Sequence, residues 1–126
     1  MADDLIRLAK FAQMGEEIAQ EVEKETKKIA NEGVKDLRNA SEQFAKYGNG
    51  KYAKGWRVTR QDDSYIINNK DYRLPHLLEY PHPIIAYGKQ VAYWSGKAHI
   101  KPVEEKIVKQ YEDDVEKLID KEVKKI

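Results

Sequence analysis

At 126 residues and 14.7 kDa the chain has room for one domain and little more. Charged residues make up 36% and apolar residues 40%, so the expected core is thin, yet eight tyrosines and two tryptophans are too much aromatic surface for a wholly disordered chain. The lack of cysteine excludes disulfide scaffolds, thiolate zinc sites and cysteine nucleophiles. The run Ile84–Tyr87 is far below a membrane span, and Met1-Ala2-Asp3-Asp4 has none of the basic and apolar character of a signal peptide. A soluble protein made in a reducing compartment is expected.

A first helix is expected over 1–46. Phe11, Met14, Ile18, Val22, Ile29, Gly33 or Val34, Leu37, Ala40 and Phe44 recur at helical spacing behind an Asp3 or Asp4 cap. Its apolar stripe is narrow, so it should rest along one side only on a sheet or a neighbouring copy. Gly15 and Gly33 each cost such a helix roughly 1 kcal/mol relative to Ala, and a bend is expected near Gly15. Tyr47-Gly48-Asn49-Gly50 should stop the helix with residues that tolerate positive φ.

The segment 50–100 reads as antiparallel strands interrupted by a short helix near 72–80. Tyr52, Trp56 and Val58 alternate with Arg57 and Thr59, and Gly55 beside Trp56 signals a bulge or a close backbone approach. Gln61-Asp62-Asp63-Ser64 is a turn, and Tyr65–Asn68 is the returning strand. Leu74, Leu77 and Leu78 share one side of the short helix. Pro81 and Pro83 flank His82 and are expected to exclude regular structure there. Ile84–Tyr87 and Val91–Trp94 can pair across Gly88-Lys89-Gln90. The last helix, 101–126, has Pro102 in its first turn and a stripe through Val103, Ile107, Tyr111 or Val108, Val115, Leu118 or Ile119, and Val123. This order of elements is α+β.

All three histidines and all four prolines fall between Pro75 and Pro102. His76 and Glu79, three apart on a helical turn, together with His82 and His99, form the one candidate metal set, and a small metal- or nucleic-acid-dependent enzyme is the alternative that it supports. The spacing of a helical zinc protease motif is absent, and the competing reading pairs His76 and Glu79 with each other or with nearby backbone to lock a turn. Asp62, Asp63, Asp71 and Glu79 do not suggest a carboxylate cluster, and Ser41, Ser64 and Ser95 lack a nucleophile-elbow context. Gly48-Asn49-Gly50-Lys51 fails as a phosphate loop, because Ala45 and Tyr52 stand where glycine and a hydroxyl residue are needed. No catalytic set and no cofactor is expected.

Charge is uneven along the chain. Lys46, Lys51, Lys54, Arg57 and Arg60 follow one another with no acid from Gln43 to Gln61, interleaved with Tyr47, Tyr52 and Trp56. Such a strip suits nonspecific DNA contact, an acidic partner, or simply the solvated face of a strand.

Taken together, Gly50-Lys51-Tyr52-Ala53-Lys54-Gly55-Trp56-Arg57-Val58, Tyr65-Ile66-Ile67-Asn68-Asn69-Lys70, Leu74, His76-Leu77-Leu78-Glu79-Tyr80, His82, and His99-Ile100-Lys101-Pro102 followed by Glu104-Glu105 resemble the tail-completion, or head–tail joining, proteins of long-tailed bacteriophages. The resemblance runs from Gly50 to the C-terminus. It implies two long helices packed on a small antiparallel sheet, with Gly55, Trp56, His76, Leu77, Leu78, Glu79, His82, His99 and Pro102 as structural motif residues. It further implies a non-catalytic component of the virion neck, made in the bacterial host cytoplasm, that forms a homo-oligomeric ring on head-completion and tail-terminator proteins and is monomeric when free. No membrane partner is implied. Two departures stand out: Pro81 replaces the family's Gly before the second His, and an apolar loop carrying Ile84, Ile85, Tyr87, Tyr93 and Trp94 replaces a Gly/Arg-rich one. An apolar loop of this kind is costly to leave in water, which marks it as an assembly element.

Overall fold

The computed structural model describes residues 2–45, 49–62 and 64–125. Helix α1 (Ala2–Ser41) has 40 residues, about 60 Å at the α-helical rise, and continues through both Gly15 and Gly33. Its C-terminal half alone is buried, at Ile29, Ala30, Val34 and Leu37, whereas Leu5, Ile6, Leu8 and Phe11 are exposed. Length explains the difference. The last helix, α4 (Ile100–Val123), has 24 residues and covers about 36 Å.

The two helices run antiparallel. Lys106 reaches Asp36 at 3.2 Å, Gln110 donates to Glu32 at 3.0 Å, and Thr26 donates to the Tyr111 hydroxyl at 3.3 Å. Gly33 faces Ile107 of α4 directly. A Cβ there would lie 2.5 Å from Ile107 Cδ1 and 3.0 Å from Ile67 Cδ1. The glycine that costs the isolated helix stability lets α4 and the first hairpin seat against it.

The first helix ends before the expected residue 46. A single 3-10 turn, Glu42–Phe44, follows Ser41 and buries Phe44. Lys46, Tyr47 and Gly48 of the expected stop lie outside the described residues, while Asn49 and Gly50 adopt the positive φ that such a stop needs. Tyr52 was expected in a strand. It stands instead on a short helical turn, α2 (Lys51–Lys54), with Tyr52 and Ala53 buried. Strand β1 starts at Trp56 (Trp56–Gln61) and pairs with β2 (Ser64–Asn69), from Trp56 opposite Asn69 to Gln61 opposite Ser64. Asp62 turns the hairpin with a positive φ, and Asp63 lies outside the described residues.

Helix α3 (Leu74–Glu79) carries Pro75 in its first turn. The second ribbon, β3 (His82–Ala86) with β4 (Lys89–Trp94), begins earlier than expected and includes His82 and Pro83. In a sheet of two strands each strand has an outer edge, and there a proline loses no ladder partner. The turn is Tyr87-Gly88, both at positive φ, and not Gly88–Gln90. A bulge between Ile84 and Ile85 leaves Val91 as the extra residue of β4.

The class is α+β, with the strands in two separate two-stranded antiparallel sheets. The core gathers Val34, Leu37, Phe44, Tyr52 and Trp56, and Val58, Ile67, Leu74, Leu78, Trp94, Ile100 and Val103 pack around it. Among the described residues no helix is long and apolar enough to cross a membrane.

Candidate functional site

The start of α4 is where most of the motif residues meet. An α-helix begins with four backbone N–H groups that have no partner within it. Here Glu79 Oε1 accepts from His99 N at 2.7 Å and Ile100 N at 2.9 Å, and Oε2 accepts from Lys101 N at 2.9 Å. The fourth position is Pro102, which has no N–H to satisfy. One carboxylate from α3 thus completes the helix start, and its charge faces the positive end of the helix dipole. Burial would push the Glu79 carboxyl up, but the three N–H donors and adjacent His99 outweigh it and hold it below the ordinary value.

His99 links this cap to the core. Its Nδ1 lies 2.8 Å from Lys97 O and 3.0 Å from Glu79 Oε1, two acceptors, so Nδ1 carries the proton. Its Nε2 is 2.7 Å from the Tyr52 hydroxyl. Burial above all, aided by the Glu79 charge and opposed by a bond with Ser41, keeps the Tyr52 phenol well above its ordinary pKa. Tyr52 therefore stays protonated and donates to Nε2. Phe44 packs edge-on against the His99 ring at 4.8 Å and the Tyr52 ring at 5.9 Å.

The chain of bonds continues into α1 and β2. Trp56 lies 5.8 Å from Tyr52 ring to ring, and its indole N–H donates to Ser41 Oγ at 2.8 Å. Arg38 donates twice to Trp56 O, at 2.8 and 3.2 Å, and Asn69 donates to Tyr52 O at 2.8 Å. Gly55 is the expected close approach, since a Cβ there would meet Asn69 Oδ1 at 2.6 Å. Every buried side-chain nitrogen and oxygen among the described residues has a partner. The arrangement joins six elements, α1, α2, β1, β2, α3 and α4.

The suspected metal set does not assemble. His76 is exposed and leans on the Tyr80 ring at 5.0 Å, and His82 Nδ1 sits 3.2 Å from Tyr80 O. Glu79 and His99 do meet, but inside the helix cap. Among the described residues no three His, Asp or Glu side chains are placed to share a cation. Of the competing reading, His76 and Glu79 do not pair with each other; Glu79 binds backbone, but at the start of α4 and not in its own turn. Leu77 is partly exposed and Leu78 packs on the core.

The basic strip is divided. Lys51 and Lys54 are exposed on α2, and Lys46 lies outside the described residues. Arg57 bonds Asn68 Oδ1 at 2.9 Å on one face of the hairpin, while Arg60 reaches back to Glu23 at 2.7 Å and covers the Tyr65 ring. Trp94, expected in the exposed loop, is an anchor: its indole N–H donates to Leu78 O at 3.0 Å. Ile84, Ile85, Tyr87 and Tyr93 of that loop are exposed.

Ser41 and Arg38 escaped the sequence reading. Ser41 follows Leu37 by four, so a polar residue on the apolar stripe was a usable signal. Arg38 gives none, because its partner is a backbone carbonyl 18 residues away. No protein-family model, curated protein or solved structure matches the chain.

Proposed function

We propose that the chain is a structural neck protein of a long-tailed bacteriophage, completing the tail and joining it to the head by assembling with copies of itself and with the neighbouring head-completion and tail-terminator proteins. The observation that carries this reading is the division of labour in the chain. Trp56, Glu79 and His99, distinctive residues of the phage-like motif order, are consumed in a buried joint, with exposed Pro102 at the start of α4 beside it. The surface it frames is apolar and extended: Ile85, Tyr87, Val91 and Tyr93 on the second ribbon, and Leu5, Leu8 and Phe11 on α1. Exposed apolar area of this kind is costly for an isolated chain and is stabilised by burial against a partner.

The virion neck is the location that follows, reached from the host cytoplasm. Lys51, Lys54 and Arg57 remain as solvated cations for nonspecific contact with DNA passing through such a neck. Electron microscopy of particles made without this protein tests the proposal. Filled heads and separate tails are expected, rejoined when the protein is supplied. Heads and tails that join normally in its absence would refute it.

A further inference from the structure

Two surfaces of this molecule complement each other. The first is the β3–β4 ribbon. Pairing places His82, Ile84, Ala92 and Trp94 on the side that meets Leu77 and Leu78 of α3, which turns Pro83, Ile85 and Tyr93 outward. Ile85, Val91 and Tyr93 are each more than half exposed and Tyr87 at the tip is fully so. A two-stranded ribbon is marginal on its own in water. This one is held only at its base, by Trp94 on Leu78 O and by Lys97 N on the same carbonyl at 2.9 Å. Gly96, at φ +80, lets the returning chain pass the Pro81 backbone, where a Cβ would stand 2.9 Å from Pro81 N. The ribbon carries Lys89, no acid occurs between Glu79 and Glu104, and Lys97 stands at its foot.

The second surface is a groove of about 570 Å³ between α3 and α4, with Pro75, Tyr80 and Val108 as its apolar lining and Glu104, Glu105 and Glu112 as its exposed carboxylates. Lys101 and Lys109 also border it, but α4 as a whole carries eight carboxylates against five cations. The ribbon is apolar with cations only, and the groove is apolar with an excess of anions.

We propose that the β3–β4 ribbon of one copy seats in the α3–α4 groove of a second copy, apolar face to apolar floor, with Lys89 against the Glu104, Glu105 and Glu112 row. The contact is head-to-tail, so each copy offers both halves and a chain of copies can grow or close. Nucleic acid is disfavoured as the occupant, because the groove repels phosphate and the ribbon offers few cations. The inference rests on the assembly reading above and names the faces that it uses.

Because the chain has no cysteine, single thiols report the contact directly. Purified full-length Tyr87→Cys and Val108→Cys are mixed and treated with a short bis-maleimide at high protein concentration. One covalent dimer is expected from the mixture, and a ladder of species from the Y87C/V108C double variant. Lys89→Glu should weaken self-association in light scattering roughly fivefold, the size of a rim ion pair, and Glu105→Lys in the same chain should restore it. A dimer without a ladder from the double variant would replace the head-to-tail contact with a two-fold one and overturn the proposal. So would yields from the mixture no higher than from either single variant at the highest protein concentration reached, where a contact normally completed on a neck partner is still populated. Circular dichroism of each variant confirms that it is folded. A Lys89→Glu protein that self-associates as well as wild type overturns this contact alone, whereas joined particles made without the protein overturn the neck reading alone.

Discussion

Removing the Glu79 side chain should be the most damaging change available outside the apolar core. In Glu79→Ala three backbone N–H groups lose their acceptor at once: His99 N is buried, and Ile100 N and Lys101 N are partly so. A hydrogen bond to a charged group is worth about 1.5–3 kcal/mol net. The three share one carboxylate and two donors can recover water, so a sum is too large and roughly 3–5 kcal/mol is expected for the variant. That is a large part of the roughly 5–15 kcal/mol of a typical domain and corresponds to a Tm lower by about 10–20 °C. Glu79→Gln keeps one acceptor oxygen but turns an N–H₂ toward a backbone donor, for an expected loss of about 2 kcal/mol.

The sign with pH is fixed by the lowered Glu79 pKa. Its stabilising effect is complete above the unfolded value near 4.5 and disappears as pH falls through the folded value. Urea unfolding of wild type and Glu79→Gln at pH 7, and then stepwise below 4.5, measures both quantities. The two proteins should differ at pH 7 and converge in acid. A Glu79→Ala protein within about 1 kcal/mol of wild type, or a gap from Glu79→Gln that does not narrow below pH 4.5, would refute the cap as the source of this stability.

Two further outcomes follow from packing and burial. Gly33→Ala puts a methyl 2.5 Å from Ile107 Cδ1, so about 1–3 kcal/mol of overpacking should exceed the roughly 1 kcal/mol of helix propensity gained, with partial relief in combination with Ile107→Val. Gly15→Ala meets nothing within 4 Å and should stabilise by about 0.5–1 kcal/mol; thermal unfolding of the pair of variants must give opposite signs. Tyr52→Phe strands His99 Nε2 and should cost about 1–3 kcal/mol. Because the folded Tyr52 phenol titrates well above its unfolded value of 10.0, wild-type stability should fall as pH rises past that value, and Tyr52→Phe should lose less there in alkaline urea titrations.

The helices were legible because their determinants are local. The repeat from Ile29 through Leu37 and the one from Val103 through Ile107 state which face is apolar, and burial follows that face. The hairpin of β1 and β2 was legible for the same reason, from alternation around a turn. Tyr52 was misplaced because a four-residue helical turn is too short to show a period, and its side chain reads equally well as the start of the next strand. His82 and Pro83 were excluded from a strand by a rule that holds for central strands and lapses at an edge. One end of the α1 stripe stays exposed: Phe11 matches the periodicity but lies at the level of Glu122 and Lys125, where α4 ends.

Trp56, Glu79 and His99 were legible as structural residues, whereas Arg38 and Ser41 of the joint were not, nor were the particular bonds that each makes. His76 and Glu79 share a helical face, and a spacing of three suggests that they act together. The carboxylate instead turns to a helix 20 residues onward, and His99 finds Tyr52 across 47 residues. Amino-acid order alone determined the α+β class, the two long amphipathic helices and the crowding of His and Pro residues at one corner, because periodicity and backbone restriction act within a few residues. Only the tertiary structure decided that Gly33 is a contact, that the basic strip is divided between two faces, and that Glu79 caps a helix. Those outcomes depend on which groups remain unsatisfied once distant segments come together, and no local pattern encodes that.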